Sequence, residues 1–140
     1  MTGRAEDVGF TGVIEVLTAA SSLVIPTIRT VAADLAARAD FDLDSIDDLR
    51  MAVDDACAML VRIAAPNARL RCEFSVRSDR VQITTEVDAA VDSLPTGSFG
   101  WWVLTCLVDE VTAVGLPMAA GQYGRVCISL TKNSGTSPER

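Results

Sequence analysis

The sequence predicts an α+β domain, and three observations predict it. Leu49, Val53, Ala56, Leu60 and Ile63 recur at steps of three and four, the rhythm of a helix with one buried face. Two later stretches alternate instead, as half-buried strands do: Leu70, Cys72, Phe74 and Val76, then Val81, Ile83, Thr85 and Val87. The elements run in the order β-α-α-β-β-α-β-β. That order builds one mixed or antiparallel sheet with helices on one face, a two-layer sandwich.

Each element has its own signal. Val13 to Leu17 reads as a short strand. From Ser22 to Ala39 the pattern is helical, with Pro26 tolerated only in a first turn, so the helix starts near Ile25. Asp40 to Asp44 is an acidic linker. Ser45 is the expected N-cap of the next helix, Ile46 to about Ala64, with acids in its first turn. Pro66-Asn67 makes a turn. Strands follow from Ala68 to Val76 and from Arg80 to Val87, joined at Ser78-Asp79. Asp88 to Ser98 is a loop, and Phe99 to Glu110 a third helix. Val111 to Val114 is a strand, Gly115 to Gly124 a loop, and Arg125 to Leu130 the last strand. Trp101 and Trp102 diverge by about 100° on a helix, so they cannot both enter the core.

The chain has 140 residues, 49% of them hydrophobic, enough for one domain over residues 13–130. Residues 1–12 are expected to be flexible and 131–140 disordered. A net charge of −7 argues against nucleic acid or an anionic membrane as partner. No apolar run approaches membrane-spanning length and the start has no signal-peptide pattern, so a cytoplasmic protein is expected. Cys57, Cys72, Cys106 and Cys127 sit in apolar patterns without a Cys-x-x-Cys, and histidine is absent. No metal site is expected; reduced, buried cysteines are.

Two stretches together carry a resemblance. Leu49-Arg50-Met51-Ala52-Val53-Asp54-Asp55-Ala56-Cys57-Ala58-Met59 resembles the N-box helix of the GHKL (Bergerat-fold) ATPases, in the branch of the anti-sigma-factor serine kinases. Gly100-Trp101-Trp102-Val103-Leu104-Thr105-Cys106-Leu107-Val108-Asp109-Glu110-Val111 resembles that family's second glycine box and following helix. A weaker match is Ile28 to Ala33. Over roughly residues 12–130 the chain is most similar to actinobacterial anti-sigma factors of the RsbW type.

The resemblance implies a Bergerat fold and a protein that sequesters an alternative, stress- or sporulation-type sigma factor of RNA polymerase. A STAS-domain anti-anti-sigma factor would release it. It also implies a homodimer through the sheet edge around Val13 to Leu17, and partner contact through Arg29. In such kinases an acid takes a hydroxyl proton while an Asn one turn on holds Mg²⁺ between phosphates. Here Asp55 takes the acid slot as a residual base and Met59 the Asn slot, where a thioether is no ligand for a hard cation. Asp88 falls where the family's adenine-binding Asp stands, but Ala89 and Ala90 follow it in place of a glycine box. Gly97 and Gly100 remain in the second box. Binding of ATP or ADP is thus expected to be weak or absent, and Mg²⁺ is not expected. Two alternatives stand beside the anti-sigma reading: an active serine kinase acting on its antagonist, and a degenerate GHKL module with a non-sigma partner.

Overall fold

The computed structural model describes residues 11–89, 96–117 and 124–134. Five strands, β1 (Gly12–Ala19), β2 (Arg69–Val76), β3 (Arg80–Ala89), β4 (Glu110–Pro117) and β5 (Gly124–Asn133), form one sheet in the order β1-β2-β3-β5-β4. Every pairing is antiparallel. Three helices cover one face: α1 (Ile25–Arg38), α2 (Leu43–Ile63) and α3 (Phe99–Leu107). This is the α+β two-layer arrangement the sequence predicts. The core lies between the layers, where Leu49, Val53 and Leu60 of α2 meet Phe74 of β2, Ile83 of β3 and Ile128 of β5, all fully buried. Each such aliphatic side chain contributes about 1.5–3 kcal/mol by leaving water.

A single 3₁₀ turn, Ser22–Val24, leads into α1, and Pro26 sits in the helix's first turn, where no N–H is needed. Asp40 closes α1 in the left-handed region at φ 67°, a conformation acids tolerate better than most residues. The Asp40–Asp44 linker is shorter than expected. Asp42 is the N-cap of α2, and Ser45 is a buried helical residue. Leu43 opens the helix but points to solvent, so the apolar stripe gave no sign of it.

The third helix also stops early. Its last residue is Leu107, and Glu110 already pairs with Thr131. Lys132 ends the helix by donating to the Leu107 carbonyl at 3.0 Å and to Asp48 Oδ2 at 3.4 Å. A cation at the negative end of the helix offsets its dipole. Asp109 lies beyond the helix and accepts from the Asn133 N–H at 2.7 Å. The sheet is correspondingly longer than expected: β3 runs to Ala89, β4 to Pro117, and β5 takes in residues 131–133 of the expected tail. Residues 135–140 of that tail, residues 1–10 of the expected loose start, and residues 90–95 and 118–123 of the two expected loops lie outside the described residues.

The tryptophans divide as helical geometry requires. Trp101 packs on the core. Trp102 is exposed and stacks on Phe99 with ring centroids 5.7 Å apart. The cysteines divide too. Cys57 and Cys72 are buried, Cys127 is half-buried, and Cys106 is exposed, against the expectation that all four are core.

Candidate functional site: the two flanks of α2

Arg29, Asp55, Met59 and Gly100, singled out by sequence, lie on or beside α2, which packs against α1 and α3. Asp54 and Asp55 are adjacent on it, so their side chains project about 100° apart. Asp54 reaches α1, where its Oδ2 accepts from Arg29 Nη1 at 2.8 Å. The two side chains are 32% and 36% exposed. Asp54 Oδ1 is buried, with no hydrogen-bond donor among the described residues. Arg29, through which the resemblance implies partner contact, is half-buried and paired with this acid.

The same flank carries a cavity of about 330 Å³ lined by Arg29, Asp47, Arg50, Met51 and Asp54. Arg50 Nη1 donates to Asp47 Oδ1 at 3.2 Å, and the Met51 side chain is 52% exposed. Nothing in the sequence pairs Arg29 with Asp54, 25 positions away. Their meeting follows from α1 packing antiparallel-fashion beside α2 across a short turn, which periodicity alone does not place in register.

The other flank is closed. Met59 is 5% exposed, and its Cε lies 3.0 Å from where a Cβ on Gly100 would sit. The missing side chain at Gly100, in the first turn of α3, makes room for the thioether methyl. Ser98 caps that turn, its hydroxyl accepting from the Trp101 N–H at 3.1 Å. Gly97 stands in the preceding turn, open to solvent, with nothing within 4 Å of its Cβ position.

Asp55, one turn before Met59, is half-buried. Burial pushes its carboxyl pKa up, and the negative charge of Asp54 adds to the shift. Asp88 is elsewhere. In β3 the side chains of Val87 and Ala89 face the helices, so Asp88 points to the opposite, open face of the sheet, across from Arg125. Its carbonyl accepts from the Ala65 N–H at 2.8 Å. Met59 and Gly100 are thus brought together, and Asp88 is held on the far face from them. Among the described residues no group of three or more His, Cys, Asp or Glu side chains is placed to hold a metal ion.

A helix-covered antiparallel sheet, with an acid-bearing central helix and a glycine at the start of the helix beside it, defines a GHKL-like sandwich. No protein-family model matches the chain. Two curated proteins do: the anti-sigma-F factors RsbW of Mycobacterium tuberculosis strains CDC 1551 / Oshkosh and ATCC 25618 / H37Rv, each 39% identical over 101 residues. The aligned stretch is 70% of this chain and 59% of each relative, so the chain spans about three fifths of the length of the curated proteins it matches. Over that stretch the chain is similar to these two RsbW proteins. Among the described residues no helix is long and apolar enough to cross a membrane.

Proposed function

We propose that this chain is a cytoplasmic anti-sigma factor that binds an alternative sigma factor through its helical layer and works by occlusion rather than by phosphate transfer. The observation that carries the second half is the Met59 methyl seated against Gly100. A nucleotide phosphate and its Mg²⁺ need a hard oxygen ligand and open space at that seam. The thioether supplies neither, and the residues there do not fit Mg-ATP. Asp88, on the open face of the sheet, is no better placed for adenine. The names of the two relatives support the sigma-factor partner.

In this reading a STAS-domain antagonist releases the sigma factor by competing for the surface around α1 and Arg29. A homodimer forms along β1, an edge strand with Val13 58% and Leu17 48% exposed.

The test is direct. The chain is mixed with each alternative sigma factor of its own genome and run in a transcription assay with RNA polymerase, with and without Mg-ATP. Repression by one sigma factor's capture, indifferent to ATP, is expected. ATP binding by calorimetry at micromolar affinity would overturn the occluded seam. Transfer of phosphate to a STAS partner that is lost in Asp55→Asn would establish the kinase instead.

A further inference from the structure

We propose that the cavity between α1 and α2 is a socket for an arginine side chain presented by a protein partner, with the Asp54 carboxylate as its floor. The clue is an incomplete ion pair. A carboxylate and a guanidinium match as a two-pronged fork, both oxygens engaged. Arg29 gives Asp54 a single hydrogen bond, to Oδ2 alone, and Oδ1 is left buried without a donor among the described residues. The intramolecular pair therefore occupies the carboxylate without satisfying it. An incoming guanidinium that displaces Arg29 engages both oxygens, and Arg29 keeps its other N–H groups for acceptors on the same partner.

Charge and shape point to the same occupant. Around this flank the α1–α2 connection and the first turns of α2 carry Asp40, Asp42, Asp44 and Asp47, with Arg50 beside them. Asp34 has Arg38 and Asp47 has Arg50, whereas Asp40, Asp42 and Asp44 have no cation in salt-bridge range among the described residues. This surface attracts a basic segment and repels an acidic one. At the mouth stands Met51, half exposed on an otherwise charged rim. A thioether there suits the methylene stem of an arginine while the head reaches the acid below. The socket rests on the proposed function only for which protein carries the arginine.

The probe is N-acetylarginine amide, titrated into the full chain with the Asp54 carboxyl carbon and the Arg29 side-chain N–H followed by NMR. Both resonances are expected to move together and saturate. N-acetylcitrulline amide, the same shape without the charge, is expected to leave them still. Asp54→Asn removes the response. Met51→Lys, a change at a half-exposed position, puts a competing cation at the mouth and removes it too. An equal response to the citrulline probe, or a response that survives Asp54→Asn, overturns the socket. Where a sigma factor binds the wild type, both variants are expected to weaken it about tenfold or more, the size of a charged hydrogen bond lost. Unchanged sigma binding overturns the socket as its contact and leaves the anti-sigma reading intact. If no sigma factor binds, that reading falls, and the arginine probe alone decides the socket.

Discussion

The two flanks of α2 are made from one helix and have opposite character. Toward α3 the seam is apolar and shut: Met59 fills the space that Gly100 vacates. Toward α1 it is charged and open, with a stranded carboxylate oxygen under a cavity of about 330 Å³. The contrast comes from residues only five positions apart, Asp54 and Met59. A scaffold can fill the cleft on one side of a helix and keep a binding surface on the other, because each flank depends on its own i, i+4 row. The difference between the flanks is therefore local, and one sheet and one core serve both.

Four measurements break or sharpen that contrast. The largest effect belongs to the closed flank. Met59→Asn places an amide where only apolar groups fit, and urea unfolding is expected to show a loss of about 2–4 kcal/mol. A loss under about 1 kcal/mol would mean that the seam is already wet. On the open flank Arg29→Ala strips Asp54 of its one donor among the described residues, at a cost of about 1 kcal/mol given the pair's partial exposure. Arg29→Ala combined with Asp54→Ala is expected to cost less than the sum of the two.

Asp55 lies between the regimes, and its sign follows from the direction of its shift. A carboxyl whose folded pKa is raised makes the fold more stable when protonated. That stability is full below its ordinary value of 3.8 and is lost as pH rises through the raised one. Asp55→Asn is thus expected to raise Tm at pH 7, with the gain shrinking toward pH 3. A lower Tm at pH 7 would mean that the charge is held by a favourable partner. The smallest effect is a rate order. Iodoacetamide is expected to label exposed Cys106 first. Cys127 follows slowly, its thiol pushed up to about 11 by burial and its hydrogen bond to Glu86, and Cys57 and Cys72 react only on unfolding. Mass spectrometry after timed quenching gives the order.

Periodicity carried most of the fold, because the helical and strand stripes are strong where one face is buried. It failed at ends. Leu43 and Lys132 show why. An exposed apolar residue in the first turn of α2 adds nothing to the stripe. A lysine in the last strand looks like the start of a polar tail until its ammonium is seen capping α3. The candidate site was half legible. Leu49 to Met59 and Gly100 could be read as a pair of local motifs, since each lies within one element. Arg29–Asp54 could not, because it depends on how two helices dock. Asp88 could be named but not aimed: one step along a strand reverses the face, and the ladder with β5 turns it outward.

The place of β5 in the sheet has a consequence for synthesis. It is the last described strand in sequence, yet it lies between β3 and β4. On the ribosome β1, β2 and β3 can pair as they emerge, but β3 then waits as a bare edge until residues 124–133 leave the exit tunnel. Strand β4 arrives earlier with no neighbour to accept it. For that interval the nascent chain carries a long unpaired edge, ten residues of β3 with an apolar side. A stall or a premature stop before residue 124 would release a species inclined to pair with copies of itself rather than a shorter working domain.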